Sequence, residues 1–415
     1  MRHRRPSIVV AAVAAAALVL AMNGSATSEP QARASAEYVV SGVRTHDALN
    51  AVAATGAAIN SVEEHGLLNV TATPDEIQRI QQLGLTVERQ EGLPRTKDAT
   101  PRDFPSADSN YHNYAEMTAA IDQAVAAHPT ILSKTSIGSS HEGRQMVALK
   151  ISDNVGTDED EPEVLFTCNM HAREHLTTEM CLHIIQRFTD GYATDANIKN
   201  LVDNREIYVV PSQNPDGAEF DISGGEYQGW RKNRQPNSGG GVGTDINRNF
   251  SYKWGCCGGS SSSPGAEDYR GPSAASAPEV QDVQAFVSSR VVGGVQQIKG
   301  HIDFHTFSEL VLWPFGHTDE TVTEGMTQEE YDRFKSIGEE MAGSNGYTPE
   351  QSSGLYITDG DINDYMWGTH KVLSYCFEMY PTDGGIDGFY PPDEDIAPQT
   401  TRNDGAVDIL LTNAT

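Results

Sequence analysis

Residues 164–179 read VLFTCNMHAREHLTTE. An apolar run ends there, and His171 and Glu174 follow, three positions apart. That spacing lets an imidazole and a carboxylate reach one cation where the chain turns out of a buried strand. Two such ligands, with room for a third histidine, suit zinc. The run His171-Ala-Arg-Glu174-His175 fits two templates. In an H-x-x-E-H site both histidines share one helix face and the glutamate is the base. That template needs a helix already running at His171, but the strand has only just ended and no capping residue precedes the histidine. The H-x-x-E reading is preferred, which leaves His175 as an ordinary residue at a helix start.

Outward from this segment, strands and helices alternate. Residues 144–151, 163–167, 207–210, 301–305, 310–313 and 372–378 read as strands, and 114–127 and 176–188 as helices. Tyr331, Phe334, Ile337 and Met341 mark one face of a further helix. This alternation predicts an α/β fold whose sheet is covered by helices on both faces. Residues 37–90 read strand, helix, strand, strand, helix, strand, with helices over 47–59 and 75–83. Such an order suits a small α+β open sandwich. The polar stretch 91–109, broken by Pro94, Pro101 and Pro105, predicts a linker exposed to proteases, with Arg95, Lys97 and Arg102 as basic cleavage points.

The chain has 415 residues and a formal net charge of −29. Its acidity argues against nucleic acid or an anionic membrane as partner. Arg2, Arg4 and Arg5 precede the apolar segment 8–22, and small residues follow, including Ala-Ser-Ala at 34–36. This pattern predicts a secretory signal rather than a structural helix. No later segment is apolar enough to span a bilayer. Export would place the five cysteines in an oxidising environment. Cys168 and Cys181 flank the metal segment, and a bridge between them would brace it. The adjacent Cys256 and Cys257 either form a vicinal disulfide or stay reduced. Cys376, in an apolar run, reads as a buried small hydrophobe. No G-x-S-x-G elbow is present to suggest a serine hydrolase.

Further motifs follow the metal segment in order. They are Asn214-Pro-Asp-Gly217, Trp230-Arg-Lys-Asn-Arg234, Asp245-Ile-Asn-Arg-Asn249, His301-Ile-Asp-Phe-His-Thr-Phe307, Leu355-Tyr-Ile-Thr-Asp-Gly-Asp361 and Phe377-Glu-Met-Tyr380. With these the chain resembles the zinc carboxypeptidases of the carboxypeptidase A/B family, the funnelin metallopeptidases. The secreted bacterial members of broad specificity look most similar. The resemblance covers the signal, an α+β propeptide and the region from about Asp103 to the C-terminus.

The resemblance implies His171, Glu174 and His305 as the zinc ligands, with one position left for water. His301 lies on the same strand face as His305 and is its rival; the family pattern selects His305. Asp245 matches the carboxylate that orients the first histidine. Glu378 matches the general base, and Arg231 the arginine that stabilises the oxyanion. Asn247, Arg248 and Tyr356 match the clamp for the substrate's free carboxylate, and Arg173 a further substrate contact. Asp361 and Asn363 fall at side-chain pocket positions, with Leu355 and Thr358 as less polar walls. The resulting expectation is acceptance of both basic and apolar C-terminal residues. Gln228 and Phe307 depart from residues common in animal members, and of the animal disulfides only Cys168–Cys181 is carried over.

The expected organisation is therefore a signal peptide at 1–36, a propeptide at 37–90, a cleavable linker at 91–102 and a catalytic domain at 103–415. The catalytic fold would be α/β, a mixed central sheet with helices on both faces, preceded by the small α+β prodomain. The resemblance implies a secreted, monomeric enzyme carrying one Zn2+. Its partners would be peptide C-termini, its own propeptide as inhibitor and an activating protease. Structural Ca2+ is left undetermined by the sequence.

Overall fold

The main sheet runs through apolar segments of the region after residue 131, and it is their pairing that brings the motifs together. The computed structural model describes residues 35–90, 103–238 and 240–415. Apart from Ser35 and Ala36, the expected signal lies outside the described residues, as does the linker at 91–102.

The N-terminal unit is a four-stranded antiparallel sheet of β1 (Ala36–Ser41), β2 (Ala58–Glu63), β3 (Leu67–Ala72) and β4 (Thr86–Arg89), in the order β2-β3-β1-β4. Helices His46–Ala53 and Pro74–Gln82 cover one face. Leu49, Val52, Ile77 and Ile80 pack there on Val40, Leu68 and Val70. The six-element order matches expectation, but the first helix is shorter than 47–59. It ends at Ala53, because Gly56 takes a left-handed φ of 92° and turns the chain into β2. Glycine adopts that conformation without the clash a Cβ would bring.

The second sheet has eight strands: β5 (Leu132–Ser139), β6 (Gln145–Ile151), β7 (Glu163–Cys168), β8 (Glu206–Val210), β11 (Ile298–Thr306), β12 (Leu310–Trp313), β13 (Thr348–Gln351) and β14 (Leu373–Met379). A two-stranded ribbon, β9 (Val291–Val292) with β10 (Val295–Gln296), stands apart. The order is β13-β12-β14-β11-β7-β8-β6-β5. The four central strands, β14, β11, β7 and β8, run parallel, and antiparallel pairs flank them, so the sheet is mixed.

Both sheet faces are buried, which is why the central strands read as continuous apolar runs. In β7, Val164, Phe166 and Cys168 point into one core while Leu165 points into the other. In β8, Ile207 and Val209 alternate in the same way with Tyr208 and Val210. The first core takes helices Tyr114–Ala127, His175–Gly191, Gln328–Asn345 and Asp404–Asn413. The second takes Pro278–Ser289 and Ile362–His370. Open α/β sheets bind ligands beyond the carboxyl ends of parallel strands. His171, Asn214, His305 and Glu378 all lie at those ends. Among the described residues, no helix is long and apolar enough to cross a membrane.

Candidate active site

Strand periodicity builds one wall of the site. On β11 the side chains of Ile302 and Phe304 enter the first core, so His301, Asp303 and His305 project from the opposite face. On β14, Tyr375 and Phe377 enter that same core, and Ser374, Cys376 and Glu378 take the other face. The parallel register sets His301 beside Ser374, Asp303 beside Cys376, and His305 beside Glu378.

The other wall is the turn after β7. Asn169 takes a left-handed φ of 53°, and its Nδ2 donates to the His171 and Ala172 carbonyls at 3.3 and 3.4 Å. The Cys168–Cys181 disulfide ties the strand end to the following helix. That helix begins at His175, after His171 and Glu174. His175 Nε2 lies 2.9 Å from Asp221 Oδ2, outside the cluster formed by the other two.

His171, Glu174 and His305 are buried and bring their ligand atoms together. His171 Nδ1 lies 2.8 Å from Glu174 Oε1, His305 Nδ1 lies 2.9 Å from Glu174 Oε2, and the two Nδ1 atoms are 3.1 Å apart. The outward nitrogens are held by carboxylates. His171 Nε2 meets Asp245 at 3.2 Å, and His305 Nε2 meets Asp303 at 2.5 Å. A proton on each Nε2 leaves a lone pair on each Nδ1, and both lone pairs face the Glu174 carboxylate. Such a donor set is satisfied by a cation at its centre, and two nitrogens with one carboxylate oxygen fit zinc.

The electrostatics agree. Burial would raise the Glu174 carboxyl, but His171 and His305 hold it well below the usual range. Burial would lower the His305 imidazole, but Asp303 and Glu174 push it well above its ordinary value. The carboxylates therefore call for positive charge at this point. Asp303 was not singled out from the sequence, although a D-x-H pair on one strand face was readable. His301 takes no part: Thr167 Oγ1 lies 2.9 Å from its Nε2 and Ser374 Oγ 2.7 Å from its Nδ1. Burial lowers its pKa to about 4, so it is a neutral, satisfied core histidine.

Glu378 is partly accessible and lines the cleft next to the cluster. Burial, reinforced by Glu174 and opposed by His305 and Arg231, raises its pKa to about 7. Asp245 also fixes Arg231, whose Nε and Nη2 donate to Oδ2 at 3.0 and 2.9 Å. Ala172 N donates to the Arg231 carbonyl at 3.0 Å, which joins the two segments. Arg248 lines the same cleft, with its Nε and Nη1 fixed by the Gly259 and Asn247 carbonyls at 3.0 and 2.9 Å. Asn247 and Tyr356 lie there too.

The rest of the cleft lining has two characters. Leu312, Leu355 and Cys376 form an apolar patch. Opposite in chemistry are Thr358, Asp361 and Asn363. Asp361 accepts from Asp364 N and from Thr358 Oγ1, each at 2.8 Å, and burial followed by Asp364 raises its pKa to about 7. Cys376 is a free, buried thiol, and Cys256 and Cys257 are joined as a disulfide.

Arg173 does not line the cleft with the others. It is fully buried, its guanidinium carbon lies 3.9 Å from the Phe389 ring centroid, and its Nη2 donates to Asn60 Oδ1 at 2.9 Å. Asn60 belongs to β2 of the N-terminal unit, and Ile59, Asn60, Ser61 and Val62 help to line the cleft. The helix His46–Ala53 adds two bonds to the Tyr356 segment. Ile357 N donates to Asn50 Oδ1 at 2.8 Å, and His46 Nε2 lies 2.7 Å from the Ser353 carbonyl. These contacts left no mark in the sequence. Two further acidic triads, Asp153/Glu159/Glu161 and Asp158/Glu163/Glu206, lie elsewhere; Arg290 pairs with Glu163, and Lys150 with Glu206.

Two histidines and a glutamate that fit a metal ion, at the carboxyl ends of parallel strands, share their cleft with a further carboxylate and two arginines, an arrangement that suits a metallohydrolase. The family model for zinc carboxypeptidases matches residues 117–404. A zinc carboxypeptidase of Saccharothrix mutabilis subsp. capreolus is 47% identical, over 99% of this chain and 97% of its own length. Carboxypeptidase B2 of Bos taurus is 28% identical over 88% of this chain and 82% of its own length. The crystal structure of carboxypeptidase A from Helicoverpa armigera shares the fold, with a TM-score of 0.74 at 22% identity, covering 92% of this chain and 97% of that one. The chain belongs to the zinc carboxypeptidase family and is a metallocarboxypeptidase.

Proposed function

We propose that this protein is a secreted zinc metallocarboxypeptidase, made as a zymogen, that removes the C-terminal residue from peptides and accepts both basic and apolar residues there. The observation that carries the reading is the convergence of His171 Nδ1, His305 Nδ1 and Glu174 on one point, with Glu378, Arg231 and Arg248 around the same cleft. His171, Glu174 and His305 would hold the zinc, which when bound acidifies a water and polarises the scissile carbonyl. Glu378, with a carboxyl poised near neutrality, takes a proton from the attacking water and returns it to the leaving amine. Arg231, held by Asp245, offers fixed positive charge where the carbonyl oxygen becomes negative.

Arg248, Asn247 and Tyr356 receive the terminal carboxylate. Arg248 is buried, so a substrate without a free carboxylate would leave a desolvated cation unmatched. This favours an exopeptidase. The mixed pocket supports dual specificity: Leu312, Leu355 and Cys376 suit apolar side chains, and Asp361 suits basic ones.

The N-terminal unit acts as the inhibitory propeptide on this reading. Its strand β2 lines the cleft, Asn60 takes Arg173, and Asn50 and His46 hold the segment that carries Tyr356. Cutting in the 91–102 linker releases activity. The deciding experiment is metal analysis of matured enzyme together with amino-acid release from an N-blocked peptide. One zinc per chain with C-terminal release, abolished in Glu378→Gln, is the expected result. Internal cleavage, or release that survives the substitution, would refute the reading.

A further inference from the structure

Asp221 ends the short helix Pro215–Asp221 and is completely buried. It is not among the residues expected to contact substrate or metal, yet its carboxylate gathers three groups and its backbone carbonyl a fourth. Oδ2 lies 2.9 Å from His175 Nε2. Oδ1 accepts from Trp230 N at 2.5 Å. The Tyr390 hydroxyl lies 3.1 and 3.0 Å from the two oxygens and itself accepts from Gly229 N at 3.1 Å. The Asp221 carbonyl adds a bond from Gln228 N at 2.7 Å. Tyr227 stacks on Tyr390, with ring centroids 3.9 Å apart.

Three of the residues held in this way are chain neighbours of the reaction site. His175 follows Glu174, Trp230 precedes Arg231, and Tyr390 follows Phe389, whose ring packs on Arg173. The segment 224–232 has no strand or helix to fix it, so its backbone depends on such side-chain acceptors. A buried carboxylate accepting several N–H and O–H donors is a strong anchor.

We propose that Asp221 is a positioning residue for the reaction, setting the separation between the metal-holding turn and Arg231. The inference rests on the role given to Arg231 above. Catalysis depends on such separations: a displacement of about 1 Å far from the chemistry can lower a rate roughly 100-fold.

The test is a double-mutant cycle in the matured enzyme, combining Asp221→Ala with Arg231→Ala. Readouts are kcat, KM, zinc content and melting temperature. We expect Asp221→Ala to lower kcat about 100-fold with KM within about twofold and zinc retained. In the Arg231→Ala background the same change should cost less than about fivefold, because the group it positions is gone. Asp221→Asn, which still accepts from Trp230 N, should recover part of the loss. An equal fold-loss in both backgrounds, or a loss that follows zinc content, would overturn the positioning role alone. An unchanged kcat in Arg231→Ala would overturn the Arg231 reading and this proposal with it. If Asp221→Ala does not fold, Tyr390→Phe is carried through the same cycle. It should lower kcat about fivefold in the parent and have no effect in Arg231→Ala, and equal losses would again reject the role.

Discussion

His305 and Glu378 are direct neighbours across adjacent parallel strands, in register with one another. The proposed ligand and the proposed base are thus fixed by backbone hydrogen bonds, with no loop between them. Sites built on strands hold their geometry more tightly than sites on loops.

Glu378→Gln preserves shape and removes the proposed base. The expected outcome is a fall in kcat of roughly 10³-fold with zinc content unchanged, measured on matured enzyme. In the parent, kcat/KM should fall as the pH drops through the Glu378 pKa, because the protonated carboxyl cannot accept the water's proton. That pKa is raised to about 7, and a bound cation would favour the carboxylate, so the acid limb should lie at or below pH 7. A pH-independent kcat/KM from pH ~5 to ~7 would remove Glu378 from this role.

Asp303→Asn tests the support of His305, the proposed third ligand. Asp303 holds His305 Nε2 at 2.5 Å and also accepts from Gln213 Nε2 at 2.8 Å. An amide can no longer bear the charge that fixes the imidazole tautomer. Zinc affinity should fall about 10- to 100-fold, read by competition with a chelator. An unchanged affinity would mean that the contact is incidental.

Of these two residues, Glu378 was read in advance and Asp303 was not. The strand–turn–helix around His171 was legible, because a parallel strand buried on both faces is apolar throughout. Choosing His305 over His301 was not legible from spacing, since both share one strand face; the resemblance made that choice. Strand β5 was missed because LSKTSIGS is polar and sits at the sheet edge, where one side meets water. The start of strand β2, residues 58–59, was absorbed into an Ala-rich helix, because the Gly56 turn is one residue in a run of helix formers. The contacts of Asn60 with Arg173 and of Asp221 with His175 carry no local signature, as these partners lie over 100 and over 40 positions away in the chain.

The N-terminal unit should dock more tightly in acid. Glu76 on that unit is buried facing Glu267 and Asp268, with Arg79 at 3.8 Å and Arg248 and Arg231 near Asp268. Burial raises Glu76 to about 7 and Asp268 to about 8, against ordinary values of 4.5 and 3.8. For acids shifted upward, the docked state is fully favoured below the ordinary values and loses that advantage as pH rises through the shifted ones. A chain cut in the linker but not separated should therefore gain activity, relative to matured enzyme, as pH rises from about 5 to about 8. Glu76→Gln should flatten the rise, and an equally steep rise in that variant would assign it elsewhere.

Substrate preference gives the last test. Asp361 is one of three carboxylates among the described residues lining the cleft, with Glu174 and Glu378, and its oxygens already accept from Thr358 and Asp364. Because burial raises its pKa to about 7, it carries little charge in mild acid and full charge in mild alkali. The ratio of kcat/KM for a peptide ending in Arg to one ending in Phe should therefore rise between pH ~6 and ~8. Asp361→Asn should lower kcat/KM for the Arg peptide at least about tenfold at pH ~8, leave the Phe peptide within about threefold, and remove the pH dependence of the ratio. The apolar patch of Leu312, Leu355 and Cys376 does not titrate in this range, which is why the Phe peptide is the internal reference. If both peptides lose activity equally in Asp361→Asn, the residue acts as the cap of the helix Ile362–His370 and not as a selector of charge.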